Sequence, residues 1–186
     1  MNNYNYKFDR KLIFLIGNIG SGKTTYTTNI KKDYVVLSRD KIRYMLGGGD
    51  YVFNPLFEPA LWKGISEIFT QLIKTEVNII IDEVNVNYVM RTQYLNIIHN
   101  MHEYIGSYHI TGVVFPKLSK KEAIKRRLSA PHGNIDQKQW ERVYTRFNKL
   151  YEEPSLSEGF HKIIWLKNCQ GQFKIRKQIG ENYKNE

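Results

Sequence analysis

Eight residues near the start of the chain have types and spacings suited to binding a phosphate. Gly17-Asn18-Ile19-Gly20-Ser21-Gly22-Lys23-Thr24 fill every fixed position of the pattern G-x-x-x-x-G-K-[ST]. Glycines at these spacings let the backbone close around an anion where a Cβ would clash or a positive φ is needed. The successive N–H groups then form a nest at a helix N-terminus, whose partial positive charge favours phosphate. Lys23 is expected to reach the β- and γ-phosphates of ATP, and Thr24 to offer its hydroxyl to Mg²⁺. Gly17, Gly20, Ser21, Gly22 and Thr25 complete the expected nucleotide-binding set. A glycine-rich turn with an incidental lysine would account for the residues alone, but not for the apolar run Leu12–Ile16 that feeds them.

Two further groups could act with such a loop. Ser38-Arg39-Asp40-Lys41-Ile42-Arg43 follows the apolar run Tyr34–Leu37. Ligands of a doubly wound sheet bind beyond the carboxyl ends of its strands, so Asp40 is expected near the γ-phosphate side of the loop. A carboxylate there can take the proton from an attacking hydroxyl. Arg43, one turn on, could hold an acceptor phosphate through a two-pronged contact, and Arg39 joins the expected substrate contacts. The plain alternative is a helix-capping Asp40 and a surface Arg43. The second group, Ile79-Ile80-Ile81-Asp82-Glu83-Val84-Asn85, is an apolar strand ending in acids. Asp82 fits a carboxylate near Mg²⁺ or its waters, and Glu83 could face the acceptor.

Positive charge is concentrated. Lys plus Arg exceed Asp plus Glu by 28 − 18, or +10. The stretch from Pro116 to Lys149 holds ten basic and three acidic residues, which suggests a polyanionic partner. Within it, Arg126 and Arg127 close one helix before a proline–glycine loop. They could swing over a nucleotide and neutralise charge on a transferred phosphoryl group. Arg142 and Arg146 share a face of the next helix and could line the same cleft. Tyr44, Tyr51 and Phe53 could stack on an acceptor base, although half-buried anchoring is the commoner use of such rings.

The elements that must position these groups follow from patterning. Short Val/Ile-rich runs alternate with longer amphipathic stretches, which argues α/β with a mainly parallel sheet. Strands are expected at Leu12–Ile16, Tyr34–Leu37, Asn78–Ile81, Tyr108–Phe115 and His161–Leu166. Helices are expected at Lys23–Lys31, Asp40–Leu46, Leu56–Thr75, Val89–Ile105, Ser119–Leu128 and Asp136–Tyr151. Ser119 with Glu122, and Asp136 with Gln139, have capping-box spacing. At 186 residues one domain is expected, with the region about 119–150 as a basic helical lid and a polar tail at 167–186 that forms at most a weakly docked helix. The single cysteine excludes an internal disulfide. The five histidines lack metal-ligand spacing. No apolar stretch reaches membrane-spanning length, and the polar start reads as no signal peptide. A cytoplasmic protein is expected.

Together these residues resemble the phage polynucleotide 5′-kinase family of P-loop kinases, from about Lys11 to about Pro154. The matching pieces are GNIGSGKT, SRDKIR, IIIDEVNVNYVMRTQY and KEAIKRRLSAPHGNIDQKQW. The resemblance implies a P-loop kinase-type three-layer fold with a five-stranded, mainly parallel sheet, and transfer from ATP to a nucleic-acid 5′-OH. A phage-infected or bacterial cell would be the setting. It further implies that Asp40 activates the acceptor hydroxyl, Arg43 contacts the adjacent nucleic-acid phosphate, and Arg126 lies on the ATP phosphates. Glu83 and Asn85 fall in the acceptor-site block, where the family has Asp-x-Asn. A second basic lid residue is replaced by Ser129 and Ala130, for which Arg127 could substitute. No D-x-D-x-T motif is present, so kinase activity is expected without a phosphatase. Three other readings stay open: a kinase of hydroxymethyl bases within DNA, a small-molecule kinase such as a nucleoside kinase, and a nucleotide-binding switch without phosphoryl transfer.

Overall fold

The computed structural model describes residues 9–130, 135–169 and 172–181. The expected loop at 131–134, the polar start at 1–8 and the last residues of the expected tail lie outside these. The strands β1 (Arg10–Ile16), β2 (Val35–Leu37), β3 (Ile79–Ile81), β4 (Tyr108–Val114) and β5 (Lys162–Cys169) all pair in parallel, in the order β2-β3-β1-β4-β5. Parallel strands need crossovers, and the intervening helices cover both faces. The apolar runs of β1 and β3 are therefore buried throughout, from Leu12 to Ile16 and from Ile79 to Ile81.

A sixth strand corrects the expected five. The described part of the polar tail is strand where at most a weak helix was expected: Gln172–Gly180 is β6, antiparallel to β5 at the sheet edge. The pairing slips between Trp165 and Leu166, so Arg176 is an extra residue on β6 with no partner across the ladder. Such a bulge bends and re-aims the strand. Phe173 anchors β6 by packing edge-on against Tyr26 and Phe115.

The helices are α1 (Lys23–Ile30), α2 (Arg39–Leu46), α3 (Glu58–Lys74), α4 (Tyr88–His99), α5 (His102–Ile105), α6 (Lys120–Ser129) and α7 (Gln137–Lys149). The single helix expected over Val89–Ile105 is broken at Asn100–Met101 into α4 and α5. The main core lies on one face of the sheet, where Phe14, Phe69 and Tyr94 meet edge to face. A smaller cluster around Leu15, Ile80 and Phe115 fills the other face. A third binds Ile19 of the glycine loop to Ala123, Ile124, Trp140 and Tyr144 of α6 and α7. Both expected caps act: Asp136 and Gln139 form a reciprocal box at 2.7 and 2.9 Å. Ser119 accepts from the Glu122 N–H at 3.2 Å, but the Glu122 carboxylate turns to Arg126 instead. Among the described residues, no helix is long and apolar enough to cross a membrane.

Candidate active site

The loop leaves β1 and enters α1 as its spacing demands. The Gly17 N–H donates to the Val84 carbonyl at 2.9 Å, which ties the loop to the segment after β3. Gly20 and Gly22 sit at φ +70° and +98°, in the left-handed region. A Cβ at Gly20 would lie 2.8 Å from the Ala123 carbonyl oxygen, and one at Gly22 would lie 2.7 Å from the Phe173 ring. The loop is thus pressed between α6 and β6, and only glycine fits at either point. The Lys23 ammonium donates to the carbonyls of Gly17 and Asn18 at 2.7 and 2.9 Å, and lies 3.4 Å from Ser21 Oγ. Burial, then the Arg127 charge, bring its pKa down to about 7, against the opposite pull of Asp82 and Asp40. Ser21 is buried, whereas Thr24 and Thr25 are exposed at the start of α1.

Two cavities flank this loop. The larger, about 830 Å³, opens toward the β2–β3 side, and its lining includes Arg39, Asp40, Arg43, Asp82, Glu83, Arg127, Arg142 and Arg146. The smaller, about 350 Å³, lies on the β4–β5 side and is lined by Gly17 and Asn18 with Phe115, Phe147, Tyr151, Trp165, Lys117, Arg176 and Lys177.

In the larger cavity, Asp40 lies in the first turn of α2, the partly positive end of the helix dipole. One carboxylate oxygen accepts from Arg43 Nη1 at 2.7 Å and from the Tyr51 hydroxyl at 3.1 Å. Arg43 in turn grips Glu58 with both remaining nitrogens, at 3.0 and 2.6 Å. Its guanidinium also lies over the rings of Tyr51 and Phe53. Burial alone would depress Arg43, but the Glu58 hydrogen bond, Tyr51 and Asp40 hold it above its ordinary value. Burial and the Asp40 charge push Tyr51 up to about 12. Tyr51 therefore keeps its proton and stays a donor to Asp40 across neutral pH. The two-pronged contact expected of Arg43 toward a phosphate is made here with Glu58.

Arg39 and Glu83 form a second pair at 2.5 Å, and the Tyr94 hydroxyl donates to the other Glu83 oxygen at 2.7 Å. Asp82 lies closer to the loop, and burial raises its carboxyl above the usual range against the pull of Lys23. Arg127 lies over the Trp140 ring at 5.0 Å, with its Nε buried and without a hydrogen-bond partner. Burial lowers its pKa, and Asp40 is the first charge to oppose that. Arg126 points elsewhere: it pairs with Glu122 at 2.8 Å and reaches the Gly20 carbonyl at 3.4 Å. Arg142 and Arg146 are exposed on the opposite wall and form no ion pair among the described residues.

The site is therefore an anion-binding loop beside a cleft that joins a positioned carboxylate to several cations. Residues 12–150 match the protein family described as AAA domain. The chain belongs to that family. No curated protein matches it. Among solved structures, this AAA domain aligns with a chain of the Pnkp1/Rnl/Hen1 RNA repair complex at a TM-score of 0.60 and 24% identity, over 100% of this chain and 52% of that one. It thus spans about half of that chain's length. A fungal RNA kinase aligns at 0.56 and 18% identity, over 88% and 77% of the two chains. The Mycobacterium tuberculosis APS kinase CysC, in complex with AMPPNP and APS, aligns at 0.50 and 16%, over 79% and 84%. At these identities the likeness is one of fold, and the fold is that of P-loop kinases.

One expected acceptor-site residue of this AAA domain has no surface to act through. Asn85 is fully buried at φ +47°, and its Nδ2 donates to the Leu15 carbonyl at 2.9 Å. Its backbone carbonyl accepts from Arg91, which is itself buried and paired with Glu158. Asn85 fastens the strand end to β1 and lies behind the cleft. Sequence reasoning also missed Glu58, because nothing in a fifteen-residue separation signals its contact with Arg43. Arg176 and Lys177 were missed with β6, although the alternation of Phe173, Ile175 and Ile179 was the available signal.

Proposed function

We propose that the chain is an ATP-dependent kinase that transfers the γ-phosphoryl group to a hydroxyl of a nucleic acid, most simply a 5′-OH end. The observation that carries this reading is Asp40. Its carboxylate is oriented by Arg43 and Tyr51 at the rim of a cation-lined cleft, and it is among the charges that act on Lys23. An oriented carboxylate beside a phosphate loop is what in-line attack by a hydroxyl requires, and a switch without transfer has no use for it.

The loop fits the nucleotide phosphates. Gly20 and Gly22 leave a cradle that a Cβ would fill, and Lys23 bridges its carbonyls. Thr24 and Asp82 would hold Mg²⁺. No cluster of three or more His, Cys, Asp or Glu able to hold a metal exists among the described residues. Mg²⁺ commonly takes one or two protein oxygens and completes its shell with phosphates and water. When bound, the ion would neutralise charge on the β- and γ-oxygens. Arg126 beside Gly20 would face the donor phosphates, and Arg127 inside the cleft would face the group in flight. The smaller cavity, with its four rings next to Gly17 and Asn18, would take the nucleotide base. In this reading the chain is one kinase domain in which α6 and α7 form the lid. Arg39 and Glu83 shape the acceptor floor, and Arg142 contacts the acceptor. The RNA repair complex and the RNA kinase among the fold neighbours agree with a polynucleotide acceptor.

The test is label transfer from γ-labelled ATP in Mg²⁺ to four acceptors. They are a 5′-OH oligonucleotide, its 5′-phosphorylated twin, duplex DNA with hydroxymethyluracil and blocked ends, and a nucleoside mixture. Label on the 5′-OH strand alone is expected. Label on the blocked duplex would move the acceptor to the base, and label on nucleosides alone would overturn the polynucleotide reading.

A further inference from the structure

The basic character of the cleft does not end at its rim. Helix α7 carries Lys138, Arg142, Arg146 and Lys149, spaced i, i+4, i+8 and i+11. At 3.6 residues per turn these four side chains fall within an arc of about 80° and extend over about 16 Å of helix. All four are exposed, and none forms an ion pair among the described residues. The one acid within α7, Glu141, lies off this stripe; it accepts from Gln137 at 3.0 Å and pairs with Lys120 at 3.6 Å. A solvated helix face usually mixes both signs. This one carries a single sign, with its acid engaged elsewhere.

The stripe is also keyed to the loop. The Asn18 amide donates to the Tyr144 carbonyl at 3.0 Å, the Tyr144 hydroxyl donates to the Leu118 carbonyl at 2.6 Å, and Trp140 and Tyr144 are buried against Ile19. Arg142 and Arg146 line the large cleft, whereas Lys138 and Lys149 lie outside its lining. A line of cations that crosses the cleft at Arg142 and Arg146 and extends beyond it at both ends, to Lys138 and to Lys149, exceeds what one small acceptor needs.

We propose that the outer face of α7 is a track for the sugar-phosphate backbone of a single polynucleotide strand whose 5′ end enters the cleft. The proposal rests on the polynucleotide-kinase reading above. Arg142 and Arg146 meet the phosphates nearest the reacting end, and the lysine at the end of the helix toward which the strand leaves, Lys138 or Lys149, meets those beyond it. Phosphate contacts of this kind set register and affinity without reading sequence.

The test compares wild type with the double variant Lys138→Glu/Lys149→Glu on a 5′-OH dinucleotide and a 5′-OH single-stranded 12-mer. For the 12-mer, KM is expected to rise at least tenfold, with kcat unchanged and the dinucleotide kinetics unmoved. The slope of log KM against log salt should shrink by about 0.7, the value for one single-strand phosphate contact. The neutral variant Lys138→Gln/Lys149→Gln should give a smaller change in the same direction. Equal losses on both acceptors, or no change on the 12-mer, would overturn the track. Fluorescence anisotropy of a labelled 12-mer, titrated with the same proteins, separates the two proposals. Stripe-dependent binding without any transfer would keep the track and sink the kinase reading. Transfer with stripe-independent binding would do the reverse.

Discussion

On the α2 wall of the larger cleft, Arg43 gives its whole guanidinium to Glu58 and Asp40. On the α7 wall, Arg142 and Arg146 face the same space with no ion pair among the described residues. The residue type is the same, but the consequence differs. A clamped arginine holds a neighbouring group in one geometry, because its charge is satisfied within the protein. An open arginine keeps its charge available and can gain a bidentate phosphate contact on binding. In the proposed reading the α2 wall orients Asp40 and the α6–α7 wall meets anions. Arg127 belongs to the second wall: it is buried over Trp140 with an unsatisfied Nε, a group still wanting an acceptor.

Among the arginines of the two walls, the largest effect is expected at Arg127. Replacing it with Ala should lower kcat by ~10²–10³-fold, the usual cost of removing one transition-state donor. Arg126→Ala should act mainly on the KM for ATP. If single-turnover rates show both losses in kcat, the division of labour between the two arginines fails. Next comes the clamp. Glu58→Gln keeps the size of the side chain but frees one arm of Arg43, so Asp40 loses its fixed orientation. A kcat lower by ~10–100-fold with the acceptor KM within about twofold is expected, since misplacing a catalytic group costs about this much. A KM effect instead would mean that Arg43 binds phosphate and the two walls are alike. Smaller still, Arg142→Ala should raise the acceptor KM by ~5–10-fold at constant kcat and reduce the salt slope by ~0.7.

Between the walls, Lys23 supplies a stability test. Its pKa is brought down to about 7, by burial first and Arg127 second. Above pH 7 and below about 10.5 the unfolded chain keeps this proton and the folded chain does not. Stability in the absence of nucleotide therefore rises with pH across that window. Lys23→Met should flatten the rise and increase Tm at pH 7 by a few degrees, on the order expected when a buried charge is removed from a chain of this size. The same variant should lose phosphoryl transfer. A lower Tm for Lys23→Met at pH 7 would show that the loop carbonyls stabilise the ammonium more than burial penalises it.

The wall that orients was less legible in sequence than the wall that binds. The basic helices announced themselves through charge density, and their caps through the Ser119/Glu122 and Asp136/Gln139 spacings. The five parallel strands were legible because burial on both faces leaves continuous Ile, Val and Leu runs. Asp40 was legible because the end of β2 fixes where it must stand. The hold on Asp40 was not, since Glu58 and Tyr51 approach from other segments and local pattern carries no long-range partner. β6 was hidden for a different reason. An edge strand keeps one side in water, so Lys174, Arg176 and Lys177 masked the alternation of its apolar residues. Asn85 resembled an acceptor contact by its neighbours' types, while its positive φ and burial placed it behind the cleft.

If Asp40 is the base of a polynucleotide 5′-kinase, its loss must show in the chemical step. Single-turnover transfer from γ-labelled ATP to a 5′-OH oligonucleotide is followed with wild type and Asp40→Asn, beside ATP affinity measured by calorimetry. The rate constant is expected to be lower by ~10²–10⁴-fold in the variant, the usual worth of a general base, with ATP affinity unchanged. An Asp40→Asn protein that transfers at the wild-type rate would contradict this role, and would leave Asp40 as no more than an anchor for Arg43.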